Sequence, residues 1–127
     1  MGESKLFSDS MVAGGDLSEK QYHFVKISAA RTVVIGTAGV GTLGDPCYGV
    51  LQNNPESGEM AEVMVLGITK MVAGDTITAG AYVKCNADGH AIPCADKYDE
   101  VMGIAREGAD SGDIFSLFIH KFQLCEA

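Results

Sequence analysis

The sequence predicts an all-β protein, a small closed barrel or sandwich of about eight to ten strands. Three observations lead there. Apolar residues alternate with period two from Tyr22 onward, no segment sustains a 3.6-residue apolar period, and sixteen glycines punctuate the 127-residue chain. A fourth feature gives the strands an order. The stretch from Gly49 to Val65 returns, without a gap, from Gly103 to Ile119, so that Ser57-Gly58-Glu59 corresponds to Ser111-Gly112-Asp113. Each copy runs from an apolar strand through a Ser-Gly turn into a second apolar strand. No nucleophile, paired acid or metal ligand recurs in both copies, so the repeat carries architecture.

Residues 1–18 are polar and Gly-containing, with Leu6, Phe7, Met11 and Val12 as isolated apolar positions. They are expected to form a terminal arm, either loose or ordered on a partner as an added strand. The remainder, 19–127, is expected to be one barrel-like domain, long enough to bury about two-thirds of its unfolded surface without disulfides or metal. A strand is expected from Tyr22 to Ile27 and another over Thr32–Ile35. Gly49–Leu51 and Met60–Ile68 should flank the Asn53–Gly58 turn, and two short strands should share Val72–Val83. Lys84–Ile92 reads as a hairpin with Asp88-Gly89 as a two-residue loop, which sets Cys85 opposite Ile92 with Cys94 diagonally beyond. Asp96–Glu100 is a polar break that has room for one helical turn.

Composition narrows the function. Nine basic residues against seventeen acidic ones give a formal charge of −8, with no basic cluster. Binding a nucleic-acid backbone requires a basic face, so direct nucleic-acid binding is not expected. Cys47, Cys85, Cys94 and Cys125 form no CxxC pair, and His23, His90 and His120 stand at no matching spacing, so no metal site is expected. The first residues lack the apolar core of a secretion signal, and no apolar run approaches the roughly 18–20 residues that span a bilayer. No membrane association is expected. The thiols should stay reduced in the cytoplasm where the chain is made.

Several motifs suggest chemistry that their context does not support. Gly39-Val40-Gly41-Thr42-Leu43-Gly44 spells GxGxxG, but Asp45-Pro46 follows where a dinucleotide site needs a helix N-terminus. No Gly-Lys-Ser/Thr is present to make a phosphate loop. Cys85/His90 and Cys125/His120 lack an orienting carboxylate, so no catalytic residue, enzyme activity or cofactor is expected. Val72–Ile77 with Ala79–Val83 also suits the hairpin of a small-barrel carrier or enzyme domain, lipoyl-like and modified at Lys70. That is the rival reading, and an adduct on Lys70 in the intact mass would favour it.

The strings Asp16-Leu17-Ser18, Gln21-Tyr22, Phe24-Val25-Lys26 and Gly49-Val50-Leu51-Gln52-Asn53 with Pro55 recur in a known order with Ala73-Gly74-Asp75, Ala79-Gly80 and Gly103-Ile104-Ala105. Over residues 15–120 the chain resembles the capsid cement, or head decoration, proteins of tailed phages, some labelled predicted RecA/RadA-type recombinases. The Thr37–Pro46 loop is longer and richer in glycine than the family pattern, and four cysteines are more than it usually carries. The resemblance implies a non-enzymatic β-barrel or β-tulip module. It implies a homo-oligomer, a trimer in preference to a dimer, bound to the major capsid protein on the outer surface of the head. A tail or adaptor protein of the same virus is a further alternative. The arm residues Leu6, Phe7, Met11 and Val12 are the expected capsid contact, so removal of residues 1–15 is expected to abolish binding to expanded heads.

Overall fold

The computed structural model describes residues 4–36, 47–94 and 100–123. Among them lie nine strands and no helix: β1 (Ser4–Ala13), β2 (Phe24–Ala29), β3 (Thr32–Ile35), β4 (Gly49–Leu51), β5 (Met60–Val72), β6 (Tyr82–Cys85), β7 (Ala91–Pro93), β8 (Glu100–Ala105) and β9 (Ile114–Gln123). The GxGxxG motif, most of Asp96–Glu100 and Cys125 fall outside the described residues.

The strands follow the order β1-β3-β2-β4-β5-β9-β8-β6-β7, and a further β1–β5 pairing closes the first five into a barrel. The other side of the sheet, β5-β9-β8-β6-β7, nearly closes as well, through a single parallel bridge between Ala73 and Ala91. Two cores result. The first contains Met11, Ala13, Leu17, Val25, Val33, Leu51, Ala61 and Val63. The second is built around Met71, Ala73, Ile77, Val83, Ala91, Ala105, Phe115 and Leu117.

The repeat seen in the sequence is a repeat of structure. Val50 pairs with Met64 and Leu51 with Val63. Their counterparts at the same 54-residue offset do likewise, Ile104 with Phe118 and Ala105 with Leu117. Gly58 and Gly112 take left-handed φ of 85° and 90° in equivalent turns. The Glu59 and Asp113 amides donate to the carbonyls of Glu56 and Asp110, both at 3.0 Å. Gly49 and Gly103 are both required by close backbone approach: a Cβ would lie 2.2 Å from the Met64 carbonyl oxygen and 2.4 Å from that of Phe118.

The duplication extends much further than the 54-residue offset. Lys26 pairs with Val34, and Lys84 with Ile92, so β2–β3 corresponds to β6–β7 at an offset of 58. Phe24 opposite Val50 corresponds to Tyr82 opposite Ile104. Val12 opposite Met60 and Met11 opposite Ala61 correspond to Val72 opposite Ile114 and Met71 opposite Phe115, at an offset of 60. Met11-Val12-Ala13-Gly14 and Met71-Val72-Ala73-Gly74 are thus the same tetrapeptide in the same place. All eight residues of the first core map one by one onto residues of the second. The protein is two copies of one five-stranded unit, and β5 serves as the last strand of one and the first strand of the next.

Three local expectations are corrected. β5 runs through to Val72, because its C-terminal half is held against β9 from Gly67 to Val72. β2 begins at Phe24, since Tyr22 sits at φ 66°, the left-handed position that Gly80 occupies in the second unit. In the β6–β7 hairpin Cys85 faces Ala91, and Lys84 faces Ile92. The loop is one residue longer than a two-residue Asp-Gly turn. The Asn86 side-chain oxygen accepts from the amides of Asp88 and His90, both at 2.9 Å, and Gly89 takes the left-handed position.

The paired glycines give a test of the duplication. A Cβ at Gly58 or Gly112 meets nothing within 4 Å, so only the positive φ opposes a side chain. Gly58→Ala and Gly112→Ala are expected to cost about 1–2 kcal/mol each and to match within a few tenths. Gly49→Ala and Gly103→Ala should cost more, because the carbonyl in the way belongs to the adjacent strand. Urea unfolding of the four variants checks both the ranking and the pairing.

Candidate functional site

The four arm residues lie on β1. This strand pairs antiparallel with β5 from Ser4 opposite Ile68 to Val12 opposite Met60. Leu6 falls at the register irregularity between Lys5 and Phe7. Phe7 is 54% exposed and stands beside Leu66, itself 43% exposed. Val12 is open to solvent beside Met60, the most exposed large apolar side chain at 64%. Met11 points the other way, into the first core. The outer face of the β1–β5 ladder therefore carries an apolar pair at each end, with Ser10 opposite Glu62 and Ser8 opposite the buried Met64 between them. Leu66 and Met60 completed these pairs unnoticed in the sequence, where they read only as positions of an apolar strand.

The second edge of β1 is largely open. β3 reaches only Val12 and Ala13, in parallel register, and among the described residues no strand pairs this edge from Ser4 to Met11. Such an edge offers unpaired amides and carbonyls to an incoming strand.

The polar groups support the scaffold. The Tyr48 hydroxyl donates to Asp9 Oδ2 at 2.6 Å, tying β1 to the start of β4. That bond to a carboxylate holds the Tyr48 hydroxyl above its ordinary pKa, with smaller contributions from burial and the Asp9 charge. Lys121 donates to the Tyr48 carbonyl and lies 5.3 Å from the centre of its ring. Burial pulls the Lys121 ammonium below its ordinary value, against the pull of Cys47. Lys70 sits within the β5–β9 ladder opposite Ser116, its ammonium 6.0 Å from the Tyr22 ring centre. A carrier lysine needs a hairpin tip, and this position is not one. Cys47 and Cys85 are buried, and Cys94 is half-buried. Among the described residues no group of three or more His, Cys, Asp or Glu side chains converges as a metal would require.

A histidine pair also joins the two units. His23 Nδ1 lies 3.1 Å from the Gln21 carbonyl, which assigns its proton there. Its Nε2 then accepts from His90 Nε2 at 2.9 Å, with ring centroids 4.6 Å apart. Burial holds the His23 imidazole below its ordinary 6.5, reinforced by the charges of His90 and Lys20 and opposed by the Gln21 and Lys20 carbonyls.

A doubled β-barrel with apolar surface pairs and, among the described residues, a largely unpaired strand edge offers surfaces on which another protein can bind. The family model for phage cement proteins matches residues 20–118, and the chain belongs to that family. It is a virion-associated structural protein of a phage capsid. Its fold is similar to that of the N-terminal base of the head fiber gp8.5 of bacteriophage phi29. The TM-score is 0.69 at 21% identity, covering 94% of this chain and 98% of that one. Among curated proteins, none matches the chain.

The burial of His23 makes stability pH-dependent. Because the folded value of His23 lies below 6.5, the unfolded chain binds more protons between the two values. Stability is therefore flat above about 6.5 and falls as pH drops through it towards the folded value. Unfolding midpoints at about pH 7.5 and about pH 5.5 should show the loss, and His23→Gln should shrink it. An identical slope in the variant would remove His23 as the cause.

Proposed function

We propose that this protein is a cement protein that sits on the outside of the phage head and ties neighbouring major capsid subunits together. The observation that carries this reading is the β1–β5 ladder, with the apolar pairs Phe7/Leu66 and Val12/Met60 on its outer face and an open edge beside them. A capsid segment adding as a strand along Ser4–Met11 would gain main-chain hydrogen bonds, and the apolar pairs would fix its register. Leu6 takes part through its place on that edge, and Met11 anchors β1 in the barrel.

A cement protein must hold several subunits at once, and here the residues divide that task. The two joined barrels give a rigid body, and the acidic surface keeps the free protein soluble before assembly. Association into a trimer, in preference to a dimer, would present three such ladders to the shell. Modest single contacts would then act together. The ladder needs no nucleotide, cofactor or metal to make these contacts.

Removing residues 1–15 would take a strand out of the first barrel, so point substitutions give the cleaner test. Phe7→Asp and Leu66→Asp lie on exposed positions and should leave the fold intact. Each is expected to weaken co-sedimentation with expanded, undecorated heads by about 30-fold per contact, the loss of about 2 kcal/mol of apolar burial. Undiminished binding of both variants would overturn the assignment of this face.

A further inference from the structure

The two units do not meet face to face as mirror partners. Unit one uses its outer face, the row Phe24–Val50–Met64 across β2, β4 and β5, and all three side chains are fully buried. They belong to the same contiguous core as the interior of unit two, including Cys85 and Ile119 at its end. The Phe24 amide donates to the Gly89 carbonyl at 2.8 Å across this junction. The contact is head to tail: the flank of one unit seals the end of the next.

The duplication shows where the equivalent surfaces of each unit lie. The equivalents of Phe24, Val50 and Met64 in unit two are Tyr82, Ile104 and Phe118, again one row across three strands. Tyr82 is 44% exposed, and Ile104 and Phe118 are half-buried. The equivalents of Cys85 and Ile119 in unit one are Ile27 and Val65. Ile27 is 52% exposed, and Val65 and the nearby Ile35 are half-buried on the first core. Among the described residues each molecule thus carries a second, partly exposed copy of each side of a contact that it already makes internally. We propose that the Tyr82–Ile104–Phe118 row of one molecule docks on the Ile27–Ile35–Val65 end of a second copy, repeating the internal contact between chains. Such a heterologous contact closes into a ring when its rotation allows. The proposal deepens the oligomer in the reading above, but it needs no capsid, so its failure and that of capsid binding are separately visible.

The experiment is analytical ultracentrifugation of the full chain, free of heads, over a concentration series. Wild type should associate reversibly. Tyr82→Glu and Ile27→Glu, both at exposed positions, should each sediment as monomers with unchanged melting. An equimolar mixture of the two should form heterodimers and nothing larger, because only one intact row faces one intact end. A wild type monomeric at every concentration would overturn the proposal. So would either variant retaining full assembly, or a mixture that fails to pair, since the last would mean a contact of like with like. Should a glutamate variant melt early, Tyr82→Ser and Ile27→Ser carry the same test with the same outcomes.

Discussion

The structure depends on β5 being shared. Its first half, Met60 to Val65, is the closing strand of unit one and lies against β1 and β4. Its second half is the opening strand of unit two and lies against β9. One continuous backbone ladder therefore passes from one barrel into the other with no linker. Ala61 and Val63 feed the first core, and Met71 feeds the second. The side chains opposite them in alternation must serve different surroundings along the strand. Met64 is buried between the units, whereas Leu66 and Lys70 face solvent. A proline or an unpaired bulge in this strand would uncouple two cores at once, because both register sets run through it.

Sharing a strand also fixes how the units approach. With β5 common to both, the flank of unit one is carried over the end of unit two, and the burial of Phe24, Val50 and Met64 follows from that placement. The small residues at the junction show how closely the surfaces meet. A Cβ on Gly36 would lie 2.5 Å from the Cys47 sulfur and 2.9 Å from that of Cys85. A Cβ on Gly89 would lie 3.1 Å from the Phe24 carbonyl oxygen. The polar atoms buried here are matched, His23 to His90 above all, and no buried side-chain nitrogen or oxygen among the described residues lacks a partner.

Much of this was legible in the sequence, within limits set by how loops vary. The all-β class and the 54-residue repeat were readable because the β4–β5 and β8–β9 units keep the same loop length, so one offset aligns them. The rest of the duplication was hidden by its changing offset. The chain between Ala13 and Phe24 is two residues longer than its counterpart, and the chain between Gly36 and Gly49 is four residues longer. No single shift aligns Met11-Val12-Ala13-Gly14 with Met71-Val72-Ala73-Gly74 and the later strands together. β1 was hard to read as a strand for a different reason. Two of its outward positions are the serines Ser8 and Ser10, and its alternation breaks at the bulge around Phe7, so the apolar period dissolves. Phe7 and Val12 stood out in a polar segment, but their partners Leu66 and Met60 did not, since which of two alternating rows meets water depends on the neighbouring strand.

The duplicated halves differ most where the internal junction is tightest, and that difference bears on how strong any repeated contact between chains can be. Unit two offers Cys85 and Gly89 at the junction; unit one has Ile27 and Arg31 at the equivalent places. Arg31 keeps the left-handed backbone of Gly89, with φ of 55° against 78°, but adds a long charged side chain on the surface. The opposing surface differs as well, since Cys94 carries a side chain where Gly36 has none. A second copy seated on Ile27, Ile35 and Val65 therefore cannot approach as closely as Phe24 approaches Gly89. It gains apolar contact with Ile27 in place of the backbone contact that glycine permits. It also has no shared strand to offset the lost translational freedom of association. The internal contact is permanent because the chain connects it; a contact between chains built from the same residues must be weaker and reversible.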